Sequence, residues 1–189
     1  MKNFAVLGST RGTNLSAIAE AIQHNQLPDT LQVVVSNKSD AGILDRARSY
    51  GLNAQFVDPN DLSREAYDQK VSALLREHDI DFIVLTGYMR ILSDQFVQEW
   101  QHKILNVHPS LLPAYAGMMD MAVHEAVIAG GETETGCTVH YVTEEVDAGP
   151  IVLQKTCKVL PDDTAEDLKQ RVQALEGDAL VEAIDKLTA

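Results

Sequence analysis

The sequence predicts a single-domain α/β fold in which a mostly parallel, twisted sheet is flanked by helices and ends in an antiparallel portion. Short apolar runs alternate with segments of helical periodicity through the first half of the chain, which is typical of β–α–β units. The run at residues 82–85 is apolar at every position, as expected of a parallel strand covered on both faces. After Gly136 the alternation stops and two strand-like segments follow each other, which indicates antiparallel pairing.

The first half of the chain supplies four predicted strands and the helices between them. Strands are expected at residues 4–7, 33–35, 54–57 and 82–85, which are short runs rich in aliphatic or aromatic residues. Helices are expected at residues 15–22, around residues 43–47, and from about Ser63 onward. The third helix would place these apolar residues on one face: Ala66, Tyr67, Val71, Leu74 and Leu75.

The second half begins with a short helix containing Phe96 and Trp100, followed by a strand at residues 104–107. Residues 137–142 and 151–159 predict two neighbouring strands joined by a loop that contains Asp147. A final helix is expected from about residue 164 to 187, with Thr164 as N-cap and Asp167 completing a pattern like a capping box. Right-handed crossovers between the parallel strands would make the whole arrangement Rossmann-like.

Length, charge and cysteine usage limit the classes of protein that fit. The 189 residues suit one domain, and no apolar run approaches the roughly 18 residues of a membrane span. A net charge of −13 argues against a nucleic-acid-binding surface and against attachment to anionic membranes. Neither Cys137 nor Cys157 has metal-ligand spacing, so a reduced, cytoplasmic setting is expected.

Asn106 and His108 are the residues that most directly suggest chemistry. They stand two positions apart in a predicted strand, so both side chains would point to the same face. Pro109 ends the strand pairing and leaves them at its carboxyl end, where ligands bind in parallel α/β sheets. An amide polarises a carbonyl, and an imidazole either donates to an oxyanion or accepts a proton. Asp147 would stabilise the imidazolium if the fold brought it close.

Each of these three residues also has a purely structural explanation, as a turn-forming Asn, a core His or the polar head of a hairpin. Taken together, at strand ends marked by Pro and Gly, they predict a site that holds an oxyanion and moves protons. The sequence has no Gly-x-Ser-x-Gly elbow and no zinc-binding cluster of histidines. We therefore expect direct transfer to an external nucleophile, without a covalent enzyme intermediate and without a metal.

Two loops that follow predicted strands add candidate binding sites. Residues 8–15 contain glycines and precede a helix whose free N–H groups would favour a phosphate, although a plain tight turn is the alternative. Residues 87–92 follow the most apolar strand. Their backbone would contact the edge of a flat heterocycle between apolar side chains, or they form an ordinary strand-to-helix turn.

These segments together resemble the phosphoribosylglycinamide formyltransferases, a family of folate-dependent enzymes. The run Asn-x-His-Pro-Ser-Leu-Leu-Pro with a downstream Asp is highly specific for folate-dependent formyl transfer. The likeness extends from Gly8 to about Glu176, and the segments that carry it are residues 12–15, 63–67, 87–92, 106–113, 135–140 and 147–150.

The resemblance implies transfer of a formyl group from 10-formyltetrahydrofolate, as co-substrate, to the amine of 5′-phosphoribosylglycinamide (GAR) in purine synthesis. It implies a catalytic trio of Asn106, His108 and Asp147, without a metal. The residues implied to bind GAR are Gly12, Thr13, Asn14 and Glu176. Those implied to bind the folate are Arg64, Met89, Arg90, Ile91, Leu92 and Asn106. The domain, residues 1–189, would comprise a phosphate-binding half of about 1–100 and a folate and catalytic half of about 101–189.

The chain departs from the family pattern at two places near these residues. Residues 117–124 form a methionine-rich segment that is slightly longer than in many relatives, and Gly177 stands where a histidine often follows the glutamate. We expect only small-molecule partners, no nucleic acid or membrane, and a monomer or weak homodimer.

Other functions within the same chemistry stay open at this point. They are another folate-dependent amine formyltransferase, such as a methionyl-tRNA or sugar-amine enzyme, or a formyltetrahydrofolate hydrolase. The tRNA enzyme is expected to add a basic C-terminal domain and the hydrolase an N-terminal regulatory domain. A non-catalytic nucleotide-binding protein is the alternative from a different class, and the intact trio argues against it.

Overall fold

The computed structural model describes residues 1–188 and shows one continuous seven-stranded sheet with helices on both faces. The strands are β1 Asn3–Leu7, β2 Thr30–Ser36, β3 Ala54–Phe56, β4 Phe82–Leu85, β5 Ile104–His108, β6 Glu134–Tyr141 and β7 Ile151–Lys158. The helices are α1 Thr13–Gln23, α2 Gly42–Ser49, α3 Arg64–Glu77, α4 Asp94–Glu99, α5 Met121–Ala129 and α6 Ala165–Thr188.

The strand order β3-β2-β1-β4-β5-β6-β7 confirms the predicted sheet. The strands from β3 to β5 are parallel, and β6 pairs antiparallel with both β5 and β7. The chain runs outward from β1 to β3, then returns to the other side of β1 as β4. The loops after β1 (residues 8–12, the β1–α1 loop) and after β4 (residues 86–93, the β4–α4 loop) therefore flank the switch point, where ligands bind in such sheets.

Alternation along each strand divides the core into two layers. Phe4, Val6 and Val84 pack with α1, α2, α5 and α6 on one face, whereas Ala5 and Ile83 pack with α3 and α4 on the other. Every residue of β4 is buried, because both faces of this central strand are covered by helices.

The final helix begins as its capping pattern predicts. The Thr164 backbone N–H donates to Asp167 Oδ2 at 2.9 Å, and the Asp167 N–H donates back to Thr164 Oγ1 at 3.2 Å. This reciprocal pair is a capping box, which satisfies N–H groups that the helix itself leaves free. Within residues 1–188, no helix is long and apolar enough to cross a membrane.

Helix α5 is the one element that the sequence patterns do not indicate. Its N-cap, Asp120, has a φ of 50° and makes no side-chain capping bond. Apolar residues occur around the whole helix, and the buried positions are Val123, His124 and Val127. Because α5 has neither a starting signal nor a polar stripe, periodicity does not identify it.

Candidate active site

Asn106 and His108 lie at the carboxyl end of β5, on the same face of the sheet. Asn106 is aligned with Leu85, the last residue of β4, in parallel pairing. On the antiparallel side, His140 of β6 is opposite Asn106 and Thr138 is opposite His108. Residues opposite each other in adjacent strands share a face, so these four side chains form one polar group.

Both ring nitrogens of His108 face hydrogen-bond acceptors. The side chain is 5% exposed, and Nδ1 lies 2.9 Å from Ser110 Oγ, whose own proton is donated to the Ala114 carbonyl at 2.6 Å. Nε2 lies 3.2 Å from Asp147 Oδ2 and 3.1 Å from the Met118 carbonyl oxygen. Because both ring nitrogens face acceptors, the imidazolium is the form that satisfies every contact.

Asp147 reaches this pair from the loop between β6 and β7. Its side chain is only 9% exposed, and Oδ2 also accepts a hydrogen bond from the Gly117 backbone N–H at 2.8 Å. The other oxygen, Oδ1, lies 3.7 Å from His140 Nε2. The structure therefore brings together the three residues for which the sequence predicts chemistry, and adds a second histidine beside them.

His140 is a site residue that the sequence patterns do not pair with any other residue of the site. Its Nδ1 lies 3.0 Å from the Tyr141 carbonyl and must donate to it, so Nε2 is free to accept from Asn106 Nδ2 at 3.2 Å. Burial lowers the pKa of His140, against smaller opposing effects from Tyr141 and Asp147, which keeps the ring neutral. The feature that identifies His140 as a site residue is the register between β5 and β6. This register places His140 opposite Asn106 and is not visible in the sequence before the strands are paired.

Thr138 holds the segment that follows β5. Its Oγ1 donates to the Ser110 carbonyl at 2.7 Å and accepts from the Leu112 N–H at 3.0 Å. Gln154 of β7 donates both to Thr138 Oγ1 at 2.9 Å and to the Leu112 carbonyl at 3.0 Å. This buried network holds the backbone that carries Ser110 against His108, which fixes the ring of His108 in turn.

The methionine-rich segment covers the buried pair of His108 and Asp147. Gly117 and Met118 supply the backbone contacts to that pair, and Asp120 accepts an ion pair from Lys169 Nζ of α6 at 2.8 Å. Within residues 1–188, no group of three or more His, Cys, Asp or Glu side chains is placed to hold a metal ion.

The β1–α1 loop ends in a free helix N-terminus. Gly12 is the N-cap of α1, with a φ of 70°, and a Cβ there would lie 2.9 Å from the Cα of Ile43. No side chain caps the first turn, which begins with Thr13 and Asn14. Both the backbone conformation and the close packing therefore require glycine, and the uncapped turn favours an anion.

Asn14 and Glu176, both implied by the resemblance to bind GAR, are in contact. Asn14 Nδ2 donates to Glu176 Oε2 at 2.8 Å, and the glutamate is 8% exposed. Burial raises the pKa of Glu176 to about 7, although the Asn14 hydrogen bond opposes the shift. Asn14 Oδ1 has no hydrogen-bond partner among residues 1–188.

The β4–α4 loop exposes apolar side chains beside a cation. Met89 is 40% exposed and Ile91 58%, whereas Leu92 is buried in the core and offers only its backbone. The Arg90 guanidinium carbon lies 4.2 Å from the centroid of the Tyr67 ring. Tyr67 is one turn beyond the exposed Arg64 in α3, so both arginines lie near the start of that helix.

Known proteins similar to this chain are named as formyltransferases or as purine biosynthetic proteins. Residues 2–184 match the family model described as formyl transferase. A phosphoribosylglycinamide formyltransferase of Escherichia coli strain K12 is 41% identical over 175 residues, covering 92% of this chain and 81% of that protein. A trifunctional purine biosynthetic protein of Drosophila pseudoobscura pseudoobscura is 40% identical over all of this chain, which spans only 14% of that relative's length.

A solved structure of a similar protein has the same fold as this chain. The glycinamide ribonucleotide transformylase 1 of Symbiobacterium toebii superimposes with a TM-score of 0.94 at 40% identity, covering 98% of this chain and 86% of that one. The family match, which extends over nearly the whole chain, and the shared fold lead to the same assignment. The chain belongs to the formyl transferase family.

Proposed function

We propose that this protein transfers a formyl group from 10-formyltetrahydrofolate to the amine of GAR, giving formyl-GAR in purine synthesis. The observation that carries the proposal is the buried contact between His108 and Asp147, beside Asn106, at the carboxyl end of β5. The named relatives, which resemble the chain over most of its length, support GAR as the acceptor.

In the proposed reaction the GAR amine forms a bond to the formyl carbon, and a tetrahedral intermediate results. The bond from that carbon to the folate nitrogen then breaks, and the proton lost by the amine is passed to the departing folate nitrogen. Asn106 and protonated His108 donate hydrogen bonds to the oxyanion, while Asp147 keeps His108 charged and helps to order the relaying water. Loss of one oxyanion donor would cost about 3 kcal/mol of barrier.

The contacts of His108 support one way for the formyl oxygen to enter. The Nε2 proton is shared between Asp147 and the Met118 carbonyl, so the oxyanion has to take the place of one acceptor. Asp147 is the counter-ion that the imidazolium needs, and therefore the Met118 carbonyl is the acceptor to be exchanged. This exchange requires a small shift of the segment around Met118.

The binding roles follow from the two loops at the switch point. The GAR phosphate would bind at the uncapped start of α1, formed by Gly12, Thr13 and Asn14, with Glu176 contacting the glycinamide part. The folate ring would lie along the β4–α4 loop against Met89 and Ile91. Arg64 and Arg90 would neutralise its carboxylates, since a planar guanidinium suits such anions.

A formyl-transfer assay with GAR and 10-formyltetrahydrofolate tests the proposal. We expect turnover by the wild-type protein and its loss in His108→Ala and Asp147→Asn, with His24→Ala as an exposed histidine control that retains activity. Methionyl-tRNA and an amino sugar nucleotide, offered as competing acceptors, should remain unformylated. A folded wild-type protein that does not turn over GAR would refute the assignment.

A further inference from the structure

Three loops that follow neighbouring strands meet at one buried hydroxyl group, that of Ser9. Ser9 lies in the β1–α1 loop and is 4% exposed. Its Oγ accepts from the Met89 backbone N–H at 2.9 Å and donates to Asn37 Oδ1 at 2.5 Å. Its own backbone N–H donates to the Gly87 carbonyl at 3.1 Å. The loops after β1, β2 and β4 are therefore joined through a single residue.

The hydroxyl has a defined direction in this chain of hydrogen bonds. Since its proton is donated to Asn37, its lone pairs face Met89, and each bond polarises the next. The peptide group that carries the Met89 N–H is planar, so the bond to Ser9 orients that whole unit of the β4–α4 loop.

Packing leaves the two loops little freedom to move separately. Gly87 has a φ of 57°, and a Cβ at that position would lie 2.6 Å from Thr10 Oγ1. The β1–α1 and β4–α4 loops thus touch directly on either side of the switch point, in addition to their hydrogen bonds. A shift of one loop would therefore disturb its contacts with the other.

We propose that Ser9 is a positioning residue that couples the two substrate loops, so that GAR and the folate bind cooperatively. The inference rests on the proposed assignment of GAR to the β1–α1 loop and the folate to the β4–α4 loop. Whichever substrate binds first orders both loops through Ser9, and the second then meets a loop that is already ordered. Thermodynamic linkage requires each substrate to tighten the other by the same factor.

Calorimetric titration measures this factor without turnover, because tetrahydrofolate has no formyl group to transfer. We expect saturating tetrahydrofolate to lower the Kd for GAR about fivefold or more in the wild-type protein. In Ser9→Ala the coupling factor should fall to about one. Each Kd measured with a single ligand should change by a smaller factor than the coupling factor does. Ser39→Ala, an exposed serine in the β2–α2 connection, is the matched control and should keep the wild-type factor.

Asn37 provides an independent pair of variants that leaves Ser9 in place. Asn37→Asp keeps an oxygen acceptor for the Ser9 proton and should preserve the coupling, whereas Asn37→Leu removes the acceptor and should weaken it. Hydrogen exchange supplies a structural measurement. GAR alone should slow exchange at the Met89 amide in the wild-type protein, although GAR contacts the other loop, and should not do so in Ser9→Ala.

A coupling factor of one in the wild-type protein, or an unchanged factor in both Ser9→Ala and Asn37→Leu, would overturn the inference. Failure of the proposed function gives a different result, because the wild-type protein would then not bind GAR or tetrahydrofolate singly, and the inference would fall with it.

Discussion

Asn106 Nδ2 lies 3.2 Å from Nε2 of His140, and the other ring nitrogen decides the direction of that hydrogen bond. Since His140 Nδ1 donates to the Tyr141 carbonyl, Nε2 carries no proton and accepts from the amide. The amide of Asn106 is therefore held with its nitrogen toward His140, and its remaining N–H is free for a substrate oxygen.

Replacing His140 should impair catalysis through Asn106. We expect His140→Leu to lower kcat about 10- to 100-fold with little change in KM. Without its acceptor the Asn106 amide would no longer be held in the orientation that donates to the oxyanion, so part of the stabilisation from that donor would be lost. His140→Gln, which restores an acceptor, should recover part of the rate. Steady-state kinetics of Asn106→Ala, alone and combined with His140→Leu, provides the check. Full additivity of the two substitutions would contradict this positioning role.

The rate should fall at alkaline pH, because the contacts of His108 are satisfied only by the imidazolium. A profile of the wild-type kcat/KM from about pH 5 to 9 measures this decline. A rate that does not vary over this range would exclude a protonated His108 from the reaction.

The free energy of unfolding should depend on pH through Glu176. Burial raises the folded-state pKa of Glu176 from its ordinary value of 4.5 to about 7. The contribution of Glu176 to the free energy of unfolding is therefore fully present below about pH 4.5 and is lost as the pH rises through 7. A change of this size corresponds to about 3 kcal/mol.

Glu176→Gln removes this titration and keeps a side-chain oxygen that can accept from Asn14 Nδ2. Relative to the wild-type protein, the variant should gain about 3 kcal/mol between pH 4 and 8 in urea unfolding. The exposed substitution Glu125→Gln serves as control. A difference between variant and wild type that stays constant over this pH range would show that folding does not raise the pKa of Glu176.

Gly177 permits the close approach of α6 to α1. A Cβ at this position would lie 2.7 Å from Ala17 Cβ. We expect Gly177→Ala to destabilise the protein by about 1–3 kcal/mol, although alanine favours helices. Adding Ala17→Gly should reverse most of the packing loss, whereas Asp178→Ala on the exposed side should have little effect. Equal stability of Gly177→Ala and wild type would refute the tight contact.

Local patterns were sufficient for most of the fold. Strands β1, β2, β4 and β5 and helix α6 were predicted, because burial on both faces produces continuous apolar runs and because Thr164 and Asp167 form a recognisable cap. Helix α5 was not, since its stability comes from packing against the core and not from a capped, amphipathic sequence. The spacing of Asn106 and His108 placed both on one face of a strand, as the structure has them.

The sequence by itself determined the α/β class, the carboxyl-end position of Asn106 and His108, and the types of chemical group available at that position. The tertiary structure decided which of those groups meet. The antiparallel addition of β6 and β7 brings Asp147 to His108 and His140 to Asn106, and the switch point between β1 and β4 brings Ser9 to Met89. The physical reason is that side-chain direction follows from local strand geometry, whereas contacts between distant segments depend on strand order and register.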